Sequence, residues 1–313
     1  SNFAATYGGV PESPEIVTAL RQSLGGLAAD TSRVLVGHDD AVRALAVSPD
    51  GTTLATTGDD GRIRLFPMES QASSPIAFAS VDSPVRAITF DATGNRLAVG
   101  TLSGVIRVWS VVSPTELPKL IKSWPAHTSA VNHLAFESHG NLVSVGLDGL
   151  AHVWDGTTFA ARASWKNQSR RFLAAALSHG GTRLAVATDG DGILLRDLDS
   201  STDSPIKLGG SRRITAVAFS EDERWLVAGT GGGQILYWDL RGATPAEREV
   251  SVHRAAVTAL RFGGGRMASA ALDGEVKVWA ANPEALGRAP VVLTHGGWLG
   301  GLGFEGAGNH LFS

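Results

Sequence analysis

Histidine, a hydroxyl residue and aspartate return together in this chain, in a fixed order and at nearly fixed spacing. His127, Ser144 and Asp148 are followed by Trp154, and His253, Ser269 and Asp273 by Trp279. His38, Thr56 and Asp60 repeat the order once more, with Phe66 where the tryptophan would be. A base, a hydroxyl and a carboxylate are the parts of a hydrolytic triad. Such a triad presents one nucleophile in one pocket beside an oxyanion hole. This set occurs twice in full and once in part, each time with an aromatic. Repetition of that kind favours a structural role, and no catalytic residue is expected.

Other spacings that could do chemistry fall short. Asp189-Gly190-Asp191-Gly192 resembles the start of a calcium loop but lacks the later ligands and the closing glutamate. The glycine runs at 231–233 and 263–265 do not continue as Gly-Lys-Ser/Thr into a helix, so they read as turns and not as phosphate loops. His133, His139, His179, His295 and His310 are scattered without metal-ligand spacing, and there is no cysteine to supply thiolates or disulfides. No metal and no cofactor are expected.

The elements that must position the His-Ser-Asp sets repeat as well. An aromatic or its stand-in closes each similar segment, at Phe66, Trp109, Trp154, Arg196, Trp238 and Trp279, in steps of 43, 45, 42, 42 and 41 residues. Residues 36–66, 125–155 and 252–279 share one order: a histidine turn, a strand, a polar turn, a strand, an Asp-Gly turn, and a strand ending in an aromatic. The apolar and β-branched runs are short and bounded by Gly, Pro, Asp and Ser, which is the signature of strands. Asp60-Gly61, Asp148-Gly149 and Asp273-Gly274 suit tight hairpins, because glycine accepts a positive φ. A period of about 40–45 residues belongs to propeller blades, whose repeats bury their apolar faces only by stacking on neighbours. Outer strands are predicted at 75–80, 119–124, 161–166, 205–210, 248–253 and 290–295.

These segments resemble the WD40-repeat β-propeller family, over about residues 33–313. The resemblance implies an all-β, seven-bladed propeller of four-stranded antiparallel blades. It also implies that His127, Ser144, Asp148 and Trp154, and likewise His253, Ser269, Asp273 and Trp279, form hydrogen-bonded tetrads. Phe66 has no N–H to donate. Blades two, four and five lack the histidine, and Ser103, Gly232 and Arg196 depart from the pattern, so those blades should rely more on apolar packing.

Six blades can be completed by these segments. A seventh would begin at 298–305 and 309–313 and is incomplete, with residues 33–36 placed to serve as its outer strand. The missing strand suggests a chain that continues beyond Ser313; residues 3–6 are a weaker local candidate. Residues 1–32 read as a separate segment, a short helix and linker. Within 13–24, Ile16, Val17, Leu20 and Leu24 share a helical face, Ser13 is an N-cap, and Gly25-Gly26 is a stop. A helix ahead of a WD40 array is similar to the junction in large bacterial proteins that carry a signalling NTPase or protease before a C-terminal propeller.

Composition narrows the setting. The net charge of −3 gives no bulk attraction to nucleic acid, which is disfavoured as a partner. No apolar run approaches the roughly 20 residues of a membrane span, and no leader is visible, so a cytoplasmic location and no membrane partner are expected. Arginine outnumbers lysine 22 to 5, and alanine and glycine are abundant, as in GC-rich bacterial coding.

Function should therefore sit on a rim. The histidine and Asp-Gly turns open on one rim, which in the family is the face where partners dock. Blade one places Asp39, Asp40 and Asp59 there. Blades four and five place Arg170, Arg171, Arg212 and Arg213 there, with Arg254 on blade six. An acidic sector would face a basic one and orient a partner; the plainer alternative is solvated turn residues. Residues flanking the start of each first strand also face partners in the family: here Arg43, Arg86, Asn132, Arg171, Arg213, Thr215, Thr258 and Trp298. Trp298 would anchor a partner or cover the seam between the termini. The expected function is a non-catalytic protein-interaction or sensing module of a larger bacterial signalling or defence protein. Its partner is a protein, and an effector or NTPase domain of the same polypeptide is a candidate. The alternatives are a free-standing scaffold, and a small-ligand-binding or hydrolytic propeller using the central channel.

Overall fold

The computed structural model describes residues 16–19, 33–68, 75–111, 117–137, 139–166, 171–199, 205–242, 245–294, 302–304 and 311–312. Six four-stranded antiparallel sheets follow one another along the chain, each in simple meander order. Their innermost strands are Val42–Val47, Val85–Phe90, Val131–Phe136, Phe172–Leu177, Ile214–Phe219 and Val257–Gly263. Residues from all six converge on one central channel, so the sheets are blades arranged in a ring. The outermost strands are Ile76–Ser80, Lys119–Pro125, Ala161–Lys166, Ile206–Leu208, Glu247–Ser251 and Val291–Thr294, close to the segments expected.

The apolar clusters bridge neighbours. Ile106 and Val108 of blade two pack with Val131, Leu134 and Trp154 of blade three, and Ile193 and Leu195 of blade four pack with Val217, Leu226 and Trp238 of blade five. Two glycines allow the close approach. A Cβ at Gly100 would lie 2.6 Å from the Val131 Cβ, and one at Gly229 would lie 2.5 Å from the Val257 Cβ. The first valine of the next blade thus seats on bare backbone. The Asp-Gly hairpins are equally local: Gly61, Gly149 and Gly274 have φ of 66°, 74° and 78°, the left-handed region where a side chain is penalised.

Each inner strand carries a β-bulge at the same place, between Val42 and Ala44, Val85 and Ala87, Val131 and His133, Phe172 and Ala174, Ile214 and Ala216, and Val257 and Ala259. A bulge re-aims the side chain of its extra residue. The bulge residues Arg43, Arg86, Asn132, Leu173, Thr215 and Thr258 all line the channel. The position after the bulge is alanine in every blade but the third, where it is His133. Two positions on, alanine or threonine stands in every blade but the sixth, where it is Arg261.

Two expectations are corrected. Among the described residues the ring has six four-stranded blades, not seven. After blade six the described chain contributes only Gly303–Phe304 and Leu311–Phe312, which pair with each other as a two-stranded sheet. The expected N-terminal helix is overturned in its described part, and the rest of 13–24 lies outside the described residues. Ile16–Ala19 is a strand, antiparallel to Arg33–Val36, with Ile16 opposite Val36 and Ala19 opposite Arg33. The β-branched run Ile-Val-Thr loses χ1 freedom in a helix and suits a pleated sheet, and the ladder to Arg33–Val36 outweighs the helical spacing. This sheet joins the segment before residue 33 to the one after it. The two small sheets lie between blades six and one: Leu302 and Leu311 pack on blade six, and Leu35 packs with Leu54 and Phe66 of blade one. Among the described residues there is no α-helix, and the one helical turn is the 3-10 segment Pro283–Gly287.

Candidate functional site

In blade three the recurring set forms a chain of hydrogen bonds. Trp154 Nε1 donates to Ser144 Oγ at 2.8 Å, Ser144 Oγ lies 2.8 Å from His127 Nε2, and His127 Nδ1 lies 3.0 Å from Asp148 Oδ1. The carboxylate can only accept, so Nδ1 carries the proton and Nε2 accepts from the serine hydroxyl. Asp148 also accepts from the backbone N–H groups of Thr128 and Leu150. Burial lowers the His127 pKa, with Asp148 opposing in part, so the ring stays neutral near pH 7. For Asp148 burial pushes upward, but the Thr128 N–H and His127 bonds more than offset it, and its pKa is lowered. Ser144 is fully buried, so its hydroxyl is spent inside the sheet and presented to no substrate.

Blade six keeps part of this chain. His253 Nε2 lies 2.7 Å from Ser269 Oγ and Nδ1 lies 3.0 Å from Asp273 Oδ2, but Trp279 Nε1 has no hydrogen-bond partner among the described residues. His253, Asp273 and Glu275 come close enough to suggest a cation site. Both His253 nitrogens are already engaged, and Lys277 Nζ sits 2.9 Å from Glu275, which supplies the positive charge. In blade one His38 bridges Thr56 at 2.8 Å and Asp60 at 2.9 Å. There Arg64, 3% exposed, joins the carboxylate end of the chain: its Nη1 donates to Asp60 Oδ2 at 2.8 Å and lies 2.8 Å from His38 Nδ1.

Arg64 is a residue that sequence reasoning missed. Its signal is a base two places before the closing aromatic, at Arg64, Arg107, His152 and Lys277. Each faces the second-strand residue that bonds the histidine, or its equivalent: Arg64 is opposite Thr56, His152 opposite Ser144, and Lys277 opposite Ser269. His152 stacks 4.9 Å from both His127 and Trp154. Burial, then the His127 charge, pushes its pKa down to about 4.

The expected rim residues divide into two groups. Around blades one and two the charges close on one another. Asp59 pairs with Arg43, whose Nε donates at 2.7 Å, and with Arg86 at 3.4 Å, while Asp39 pairs with Arg62 at 2.5 Å. Asp40 is exposed and accepts from the Ala41 N–H. Around blades four to six Arg171, Arg213 and Arg254 are exposed, and their guanidinium groups form no ion pair among the described residues. Arg212 is turned outward to Glu247 and Glu249, at 2.6 and 3.0 Å. Asp189 and Asp191 share the blade-four rim and have contacts of their own. The Asp189–Gly192 segment is the hairpin turn after Arg183–Thr188, and the two glycine runs are turns as well. Arg170 and Trp298 lie outside the described residues, as do His295 and His310.

At the channel mouth the structure brings Arg43, Arg86, Asn132, Thr215 and Thr258 into one ring. Two of them tie adjacent blades: Asn132 Nδ2 donates to the Phe172 carbonyl at 3.2 Å, and Thr215 Oγ1 donates to the Val257 carbonyl at 2.6 Å. Thr258 Oγ1 is buried without a hydrogen-bond partner among the described residues. Trp124 and Trp165 pack between blades. Trp124 meets Trp154 edge-on at 5.4 Å, and Arg196, which stands where a tryptophan was expected, lies over Trp165 at 5.2 Å.

Comparison with known proteins agrees with this architecture. The family model for the nucleolar protein 10-like N-terminal domain, a β-propeller, matches residues 115–292, and the model for the WD domain, G-beta repeat, matches 30–66 and 76–110. Echinoderm microtubule-associated protein-like 2 of Rattus norvegicus is 30% identical over 202 residues, covering 64% of this chain and 30% of that protein. Telomerase protein component 1 of Rattus norvegicus is 25% identical over 263 residues, 81% of this chain and 10% of that protein. WD repeat and FYVE domain-containing protein 1 of Mus musculus is 24% identical over 254 residues, 78% of this chain and 60% of that protein. The chain thus spans less than a third of the length of the two rat proteins. These relatives are eukaryotic and lend no support to a bacterial signalling setting. WD-repeat propellers generally bind protein partners and act as non-catalytic scaffolds. No helix among the described residues is long and apolar enough to cross a membrane. The bladed ring, the His-hydroxyl-Asp chains and the two family models converge: the chain belongs to the WD40-repeat β-propeller family, with the nucleolar protein 10-like propeller model covering more than half of it.

Proposed function

We propose that this chain is a non-catalytic protein-interaction module whose partner docks on the rim of blades four to six. The observation that carries the reading is the contrast in charge pairing. Arg171, Arg213 and Arg254 are exposed guanidinium groups without an acidic partner among the described residues, whereas Arg43, Arg62 and Arg86 are already paired. Unpaired guanidinium forks suit a carboxylate-bearing protein surface, since they dock bidentately and steer encounter. Asp39 and Asp59, already held by Arg62, Arg43 and Arg86, and the exposed Asp40 then form a flank that offers an acidic partner little attraction.

The finer setting is a sensing part of a larger bacterial signalling or defence protein in the cytoplasm, with an effector or NTPase domain in the same polypeptide. The excess of arginine over lysine and the limited share of each relative that the chain spans support it. The helix that resembled a bacterial junction is a strand and no longer supports it.

The test is a charge-reversed variant carrying Arg171→Glu, Arg213→Glu and Arg254→Glu, titrated against a partner purified on the wild-type chain. Affinity should fall at least about tenfold and its salt dependence should flatten. Unchanged affinity and salt dependence would place the partner elsewhere. A partner that proves to be nucleic acid would overturn the protein-binding reading.

A further inference from the structure

The channel holds two ionisable side chains that neither the ring nor the rim explains. His133 stands in blade three where every other blade has alanine, and Arg261 stands in blade six where the others have alanine or threonine. Both line one cavity of about 210 Å³ together with Arg43 and Arg86, and no carboxylate belongs to its described lining. His133 Nε2 is buried with no hydrogen-bond partner among the described residues. Arg261 uses one N–H on the Leu260 carbonyl at 2.9 Å and forms no ion pair among them. Its side chain lines the channel and is exposed to the water there.

Such an arrangement is costly unless something answers it. Burial, then the Arg261 charge, pushes His133 down to about 3. An anion between the two groups would pair with the Arg261 guanidinium and give the buried His133 Nε2 a partner.

We propose that the central channel binds a small oxyanion of the phosphate class between Arg261 and His133. The guanidinium offers its remaining N–H donors and the imidazole its Nε2–H. Arg43 and Arg86 also line the channel but are already paired with Asp59. The binding is non-covalent and independent of the rim partner.

Isothermal titration of inorganic phosphate into the purified chain at low ionic strength tests this. The wild-type chain should bind one phosphate. Arg261→Ala should weaken binding about tenfold or more, since it removes charge-assisted hydrogen bonds. His133→Ala should weaken it less, and Arg261→Lys should be intermediate because the charge stays while the fork is lost. The two alanine variants install the residue other blades carry, so their folding is retained, and a melting curve checks it. Arg248→Ala, on the outer strand of blade five, should bind as the wild type does. No phosphate binding by the wild type would overturn the proposal, as would equal affinity in Arg261→Ala or an equal loss in Arg248→Ala.

Discussion

Blades three and five have the same four-stranded topology and reach it by different chemistry. Blade three is fastened by the buried chain from Trp154 through Ser144 and His127 to Asp148. Blade five has no histidine. Its Trp238, 1% exposed, sits in the largest apolar cluster with Leu226, Ala228 and Leu236, and Gly229 receives Val257 of the next blade. The polar chain ties a blade's first turn to its middle strands at fixed geometry. Apolar packing holds the blade without claiming the rim, where Arg213 is exposed and forms no ion pair among the described residues. The two solutions should fail in different ways.

The largest loss is expected in the apolar blade. Trp238→Ala should cost about 3–5 kcal/mol in chemical denaturation, because it removes a large buried side chain and leaves a cavity. Asp148→Ala should cost about 2–3 kcal/mol, since His127 Nδ1 and the Thr128 and Leu150 N–H groups lose a charged acceptor. A loss in Asp148→Ala as large as that in Trp238→Ala would erase the distinction between the blades.

Acid should separate them next. His127, His133 and His152 of blade three all have folded pKa values below the ordinary 6.5, the last two near 3 and 4. The unfolded chain therefore binds more protons below pH 6.5. The stability these groups contribute is full above that value and is lost as pH falls toward their folded values. Melting temperature should drop between pH 6.5 and 4, and a His152→Gln variant should show a shallower drop. An unchanged profile in that variant would show that burial of His152 carries no linkage.

Smaller effects refine the comparison within the tetrads. Trp154→Phe should cost about 1 kcal/mol for the lost bond to Ser144. Trp279→Phe should cost less, because its Nε1 has no partner among the described residues to lose. Equal losses would mean that shape rather than the hydrogen bond matters at both places. Arg213→Glu should change stability by less than about 0.5 kcal/mol, as exposed sites generally do.

Much of this was legible because it is local. The Asp-Gly hairpins follow from a positive φ at one glycine, and the strands follow from short apolar runs between turn residues. The His-hydroxyl-Asp sets could be seen because their spacing recurs. The segment around Ile16–Ala19 misled because its apolar spacing fits a helical face. What makes it a strand is Arg33–Val36, a partner well away along the chain. Blade number misled for a related reason: a short strand such as Gly303–Phe304 does not announce which edge it will pair with.

By itself, then, the amino-acid sequence determined the blades, their turns and the residues of the polar chains, since each depends on neighbours within one repeat. Tertiary structure alone decided how the ring ends meet, that Arg64 joins His38 and Asp60, which rim arginines are paired, and that His133 and Arg261 share one channel. Those outcomes depend on side chains meeting in space, some within a blade and some across blades, which spacing along the chain does not specify.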